Sequence, residues 1–260
     1  MRGLQTPVRA IRRQVFTEVA KLGFKANAET LVADMEAIPY EIVGEDSEVK
    51  YRESIYRARA VVRERLRLAM GLSLRPENKP VHLTAGVEAS NISEKYYEPP
   101  LMQVIPSGCE SCEENKYEVS NMCKGCLAHP CQEVCPRGAI SMVNGKSFID
   151  QDKCIKCGKC KSVCPYDAIA KKERPCKKAC GVNAITSDKL GRAYIDADKC
   201  VSCGMCMVSC PFGAISDKSQ IFQLARALSE GEEIVAEVAP AFVGQFGSNI
   251  NVRNFKAALE

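Results

Sequence analysis

The sequence has no tryptophan, few aromatic residues and only two histidines in 260 residues. It contains no glycine-rich phosphate-binding motif and no apolar run approaching the roughly eighteen residues that indicate a membrane span. The formal net charge of only +4 gives no indication of nucleic-acid binding. These absences argue against nucleotide, nucleic-acid and membrane classes, and they predict that large apolar side chains are not the only source of folding free energy.

A secretory signal is also absent, because Met1, Arg2 and Gly3 lead into charged residues rather than an apolar segment. A disulfide framework is therefore not expected. The thiols are predicted to be reduced and the protein cytoplasmic.

Cysteine, by contrast, is abundant: there are sixteen, and none follows Cys210. The run from Cys154 to Pro165 reads C-x2-C-x2-C-x3-C-P, and the same run returns from Cys200 to Pro211. Three thiolates at this spacing wrap one face of a 4Fe-4S cluster, while the fourth reaches a neighbouring cluster. A structural zinc site is the alternative, but it usually has two knuckles separated by a longer loop. We expect iron-sulfur coordination to contribute to folding in the middle of the chain.

An internal repeat organises this part of the sequence. The segment 130–169 and the segment 175–215 each combine a C-x3-C element with one complete four-cysteine run. Glycines at 145 and 191 indicate hairpin-like turns between short strands, a pattern typical of a bacterial two-cluster ferredoxin. Every C-x3-C element is followed by an Ala-Ile pair, which is predicted to start a strand packed against a cluster: Ala139-Ile140, Ala168-Ile169, Ala184-Ile185 and Ala214-Ile215.

If the fourth cysteine of each run binds the neighbouring cluster, the cysteines divide into three complete sets of four cluster ligands and one incomplete set. The complete sets are Cys123, Cys126, Cys131 and Cys164; Cys154, Cys157, Cys160 and Cys135; and Cys200, Cys203, Cys206 and Cys180. Cys176 and Cys210 are left two ligands short. Cys109 and Cys112, which lie upstream in the sequence, supply the missing two if the chain folds back. The sequence then predicts four 4Fe-4S clusters.

A competing scheme joins Cys109, Cys112, Cys123 and Cys126 into one zinc site. This scheme leaves four other cysteines without a complete site. His129 is a further potential ligand, although enough cysteines exist without it, and a supporting or packing role is favoured. Gly181 replaces the usual proline after Cys180, which suggests that the backbone there needs room to approach a cluster.

The predicted fold class is α+β: a helical N-terminal region, two ferredoxin-like two-cluster 4Fe-4S units and a short α/β C-terminal segment. The predicted domains are a helical region over 1–75, an extended linker over 76–107, a four-cluster domain over 108–217 and the beginning of an α/β domain over 218–260. Their predicted elements are helices over 6–22, 28–37 and 47–70, a helix over 219–228, a strand over 234–239 and a helix over 251–260. Pro39 is expected to stop the second helix. The final segment is alternatively an extension that packs back on the cluster module.

The third helix is rich in arginine, which allows two interpretations. The side chains form either a basic surface for an acidic partner or an ordinary solvated face partly paired with Glu53 and Glu64. They are Arg52, Arg57, Arg59, Arg63, Arg65 and Arg67.

The cysteine segments, together with the T-P-V-R-A-I-R-R-Q-V-F opening and the I-V-A-E-V-A-P-A-F-V-G-Q-F-G tail, resemble the N-terminal half of monomeric group B iron-only (FeFe) hydrogenases. In that family the cluster domain feeds a catalytic domain that interconverts protons, electrons and dihydrogen. The resemblance covers essentially the whole sequence, but the family's active-site cysteine motifs have no match in it.

The resemblance implies an electron-transfer module that relays single electrons through 4Fe-4S clusters to or from a hydrogenase catalytic domain not contained in this chain. The implied partners are that domain and a redox protein such as a ferredoxin. Catalysis by the chain alone is in doubt because the active-site ligands are missing. The alternative is a stand-alone polyferredoxin-like carrier or a subunit of a redox complex.

Overall fold

The computed structural model describes residues 4–25, 27, 29–45, 52–92, 99–244, 246–247 and 249–259. The helices of this part of the chain are α1 (Pro7–Lys25), α2 (Leu31–Ile42), α3 (Ile55–Ala69), α4 (Pro130–Glu133), α5 (Lys159–Ser162), α6 (Pro175–Lys178), α7 (Met205–Ser209), α8 (Ile221–Glu230) and α9 (Val252–Leu259). The strands are β1 (Met102–Val104), β2 (Lys116–Val119), β3 (Ile140–Val143), β4 (Lys146–Ile149), β5 (Ile169–Lys172), β6 (Ile185–Ser187), β7 (Ala193–Ile195) and β8 (Ile215–Asp217).

The three predicted N-terminal helices are present, with two differences. Pro39 does not stop α2, which continues to Ile42, because a proline so near the end of a helix removes only one backbone donor. The third helix begins at Ile55, where Ser54 accepts a hydrogen bond from the N–H of Tyr56 at 3.2 Å as a helix cap. Residues 47–51 of the predicted helix lie outside the described residues.

The helical core is built from α1, α2, α3 and, unexpectedly, α8. Phe222 of α8 is fully buried among the apolar side chains of the N-terminal helices. The two chain segments approach so closely at Gly23 that a Cβ atom there would lie 2.7 Å from the Cβ of Ala225. The helix predicted over 219–228 thus packs into the N-terminal helical core instead of opening a separate α/β unit.

The strands form four two-stranded antiparallel sheets, and their pairing is nested. The β3–β4 and β2–β5 sheets lie within residues 116–172, which we call the inner unit. The β6–β7 and β1–β8 sheets form what we call the outer unit, in which β1 precedes the inner unit and β8 follows it. The end of the predicted linker, at Met102–Val104, is therefore a strand paired with β8.

The predicted C-terminal strand is wrong. Residues 234–239 are described and form no strand, and Val235 is 88% exposed. Strand-forming residues without a partner strand leave their backbone groups unpaired, so their propensity alone does not make a sheet. The α9 helix beyond them buries none of its residues, and its Phe255 stacks on Phe242 with ring centroids 4.6 Å apart.

Candidate iron-sulfur centres

The cysteines gather into four groups, three of which surround cavities of similar size. Each of these three cavities is lined by four cysteines. They are lined by Cys123, Cys126, Cys131 and Cys164; by Cys135, Cys154, Cys157 and Cys160; and by Cys109, Cys112, Cys176 and Cys210. Cys109 and Cys112 thus lie in a different cavity from Cys123 and Cys126.

The fourth group belongs to the outer unit. Cys206 is buried, and Cys200, Cys203 and Cys180 are near enough for their charges to raise its pKa. No three His, Cys, Asp or Glu side chains of the described residues are spaced to hold one metal ion. A single zinc ion needs each sulfur about 2.3 Å from one point.

A left-handed residue shapes the first C-x2-C loop of each group. The residue two positions after the first cysteine of that loop has a positive φ: Ser111, Gly125, Lys156 and Ser202. In three of these loops both cysteines line the same cavity. At Gly125 a side chain is excluded, because a Cβ atom there would overlap the carbonyl oxygen of Gly145.

The Ala-Ile pairs supply donors to sulfur, a role that the sequence prediction missed. In each pair the alanine N–H points at the Sγ of the cysteine four residues earlier, at 3.2 to 3.4 Å. Each alanine follows a left-handed residue of a type that tolerates this conformation: Gly138, Asp167, Asn183 and Gly213. The repeated C-x3-C-x3-A-I spacing was the signal that could have revealed these hydrogen bonds. Their number and geometry help to set the reduction potential of an iron-sulfur centre.

The buried thiols carry raised pKa values. Burial raises the pKa of Cys176 to about 12, with the neighbouring Cys210 adding to the effect. Burial also raises the pKa of Cys206 to about 11. A coordinated metal removes this penalty because it binds the thiolate directly, so metal binding at these thiols would release protons.

The two departures from the ferredoxin pattern have different outcomes. His129 lies at the N-terminus of α4 with φ of +40°, and it is not among the residues that line the neighbouring cavity. A Cβ atom at Gly181 would meet nothing within 4 Å, and its φ is not in the left-handed region. No protein atom therefore requires a glycine there, and the expectation that its backbone needs room to approach a cluster stays a prediction.

Arginines of the chain around α3 connect the helical core to the loops of the outer unit. Neither sequence interpretation anticipated this, since both placed the whole set at the surface. Arg52 has a side chain only 4% exposed and shares Glu110 with Arg57. The backbone acceptors are Gly108 at 2.9 Å and Phe212 at 2.5 Å for Arg52, Ser107 at 2.7 Å for Arg57, and Gly213 for Arg65.

Arg174 is a buried cation that lines the cavity of Cys109, Cys112, Cys176 and Cys210. Its side chain is 3% exposed and donates to the carbonyl oxygens of Cys112 at 2.9 Å and Gly191 at 2.7 Å. It also forms an ion pair with Glu114 at 3.1 Å. Arg174 therefore fixes the C-x2-C loop of Cys112 against the hairpin that contains Gly191, and it places a positive charge beside the cysteines.

Comparison with known proteins identifies 4Fe-4S binding segments in this chain. A family model described as the 4Fe-4S binding domain matches residues 148–170 and 193–216. Two ferredoxins of Methanocaldococcus jannaschii are similar: one is 37% identical over 25% of this chain and 39% of its own length, and the other is 32% identical over 31% of this chain and 63% of its own length. The electron transport protein HydN of Escherichia coli is 41% identical over 22% of this chain and 32% of its own length.

The chain therefore contains ferredoxin-like domains that bind 4Fe-4S clusters and transfer electrons. It spans less than two thirds of the length of each of these relatives. Over the residues that the structure describes, every helix is too short or too polar to cross a membrane.

Proposed function

We propose that each of the four cysteine groups holds one 4Fe-4S cluster and that the chain relays single electrons through them. A bound 4Fe-4S cluster accepts and releases one electron at a time. The observation that carries this proposal is the nested pairing of β1 with β8, which completes a second ferredoxin unit around the first. The common cavity of Cys109, Cys112, Cys176 and Cys210 supports a cluster there rather than the mixed zinc site.

The finer proposal is that this relay serves the catalytic domain of an FeFe hydrogenase, as the resemblance over the whole sequence implies. The C-terminal segment supports it, because Val243, Phe246, Val252 and Leu259 are each more than half exposed. A neighbouring domain would bury this apolar surface. A cytoplasmic location accompanies this proposal, since reducing conditions keep thiols available for iron.

Hydrogen evolution tests the finer proposal. The reconstituted chain is mixed with a matured group B catalytic domain, and reduced ferredoxin is the only electron source. We expect no hydrogen from the chain alone and faster evolution from the mixture than from the catalytic domain alone. Equal rates with and without the chain would contradict the hydrogenase assignment.

A stand-alone carrier is the second candidate, and the similarity to ferredoxins and to HydN favours it. In this case the reconstituted chain accepts electrons from a reduced donor and passes them to an unrelated acceptor, such as cytochrome c, without a catalytic domain. The hydrogen assay separates the two candidates because only the first predicts a stimulated rate.

Replacement of Arg174 with glutamine is expected to lower the reduction potential of the centre of Cys109, Cys112, Cys176 and Cys210 by about 50–100 mV. A buried positive charge favours the more negative reduced state, and a charge at this depth is poorly screened by salt. Redox titration followed by electron paramagnetic resonance measures the shift. Arg174→Lys keeps the charge and should keep most of the potential, whereas a purely structural role would make both substitutions equally harmful.

A further inference from the structure

Two cysteines of the four groups are exposed, Cys157 in the inner unit and Cys203 in the outer unit. They occupy equivalent positions, because the two four-cysteine runs align with an offset of 46 residues. The backbones agree as well: φ is +59° at Lys156 and +54° at Ser202. The protein thus presents two versions of the same loop at its surface.

The loop around Cys157 carries a dense positive charge. Four exposed cations surround the cysteine: Arg137, Lys156, Lys159 and Lys161. Arg137 and Lys159 line the same cavity as Cys157. None of the four forms an ion pair with a described residue, in contrast to Lys153, which lies 3.5 Å from Asp150. We call these four residues the basic patch.

The loop around Cys203 is uncharged at all four matching positions. Val182, Ser202, Met205 and Met207 stand where the basic patch has its cations. Met205 and Met207 are partly covered, and Met207 packs against the apolar core of the outer unit. Because this loop adopts the same conformation without the cations, the charges of the basic patch are not needed to form the loop or to hold its cysteines.

We propose that the basic patch docks an acidic one-electron carrier protein of the ferredoxin kind, with Cys157 at the point of electron entry or exit. Complementary charge speeds the encounter of two proteins by about 10- to 1,000-fold at low salt, because unpaired surface charges steer the approach. Ile155 is 57% exposed beside Cys157 and supplies an apolar contact at the centre of the patch. The inference rests on the proposed electron relay and assigns its contact surface.

The internal repeat provides the test variant. In Lys156→Ser, Lys159→Met, Lys161→Met, each lysine is replaced by the residue of the matching loop. A second variant, Lys156→Gln, Lys159→Gln, Lys161→Gln, removes the same charges with polar side chains. The control, Arg13→Gln, Lys21→Gln, Lys25→Gln, removes three positive charges from α1. Each reconstituted protein is mixed in a stopped-flow instrument with a purified acidic two-cluster ferredoxin in its reduced form, over a range of salt concentrations.

In both patch variants we expect the second-order rate constant with reduced ferredoxin to fall at least about tenfold at low salt. We also expect this rate constant to depend much less on salt than in the wild type. The α1 control should behave as the wild type. With reduced methyl viologen, a small donor that does not need a docking surface, all four proteins should react at similar rates.

The outcomes separate the docking surface from the electron relay itself. Unchanged ferredoxin rates in the patch variants, or an equal loss in the α1 control, would overturn the docking proposal while leaving the relay intact. A wild-type protein that accepts electrons from neither donor would contradict the relay. A variant slowed equally with both donors would indicate a damaged centre, and this too would count against docking.

Discussion

Serine in place of Cys176 is expected to remove about four irons per chain, and serine in place of Cys109 is expected to remove the same four. The two residues are far apart in sequence but line one cavity. Cys176 is also buried, so a serine there leaves a hydroxyl that neither binds iron well nor reaches solvent. Metal analysis and the loss of one set of paramagnetic signals measure the effect.

Double substitution decides between the two ligand schemes. If Cys109 and Cys176 share a centre, the variant with both serines loses no more iron than either single variant. The variant with serine at Cys109 and Cys123 then loses about eight irons, because two centres are affected. The mixed zinc scheme predicts instead that the variant with serine at Cys109 and Cys123 loses one zinc and no iron, and that serine at Cys176 removes no metal. An additive loss at Cys109 and Cys176 would contradict the nested arrangement.

Removal of iron is expected to unfold the two ferredoxin-like units while the helical core stays folded. An isolated two-stranded sheet is at best marginally stable, and the units are made of four such sheets. Their apolar cores are small and consist in large part of the cysteines themselves. The helical core, by contrast, buries a larger set of aliphatic side chains without any cysteine.

Hydrogen exchange measured before and after chelation tests this expectation. Amide protection should disappear over residues 102–217 and persist in α1, α2 and α8. Helix α3 should keep its protection on the side facing the helical core, although it loses the loop carbonyls that Arg52 and Arg57 bind. Retained protection in the β-strands, or a loss that is equal in all parts of the chain, would contradict a metal-dependent fold for the cluster units alone.

The two complete four-cysteine runs, the repeat and the turn at Gly145 were predictable because short-range spacing encodes them. In the structure Asn144 and Gly145 both have positive φ, as a tight hairpin turn requires. The pairing of β1 with β8 joins segments more than a hundred residues apart. Cysteine counting could suggest it, but local patterns do not specify such contacts.

The errors lie where tertiary contacts override local patterns. The helix of Phe222 was identified correctly, but its amphipathic pattern did not reveal which core it joins. The tail around Val235 has strand propensity and no neighbouring strand. The arginines near α3 appeared to be surface charges because nothing in the sequence near them shows that Gly108 and Gly213 approach them in space.

The most direct test of the four-cluster relay is the content of iron, inorganic sulfide and zinc in the reconstituted chain. The proposed ligands predict about sixteen irons and sixteen sulfides per chain, with no zinc. One zinc per chain with correspondingly fewer irons would contradict the account, because it would assign Cys109 and Cys112 to a site that carries no electrons.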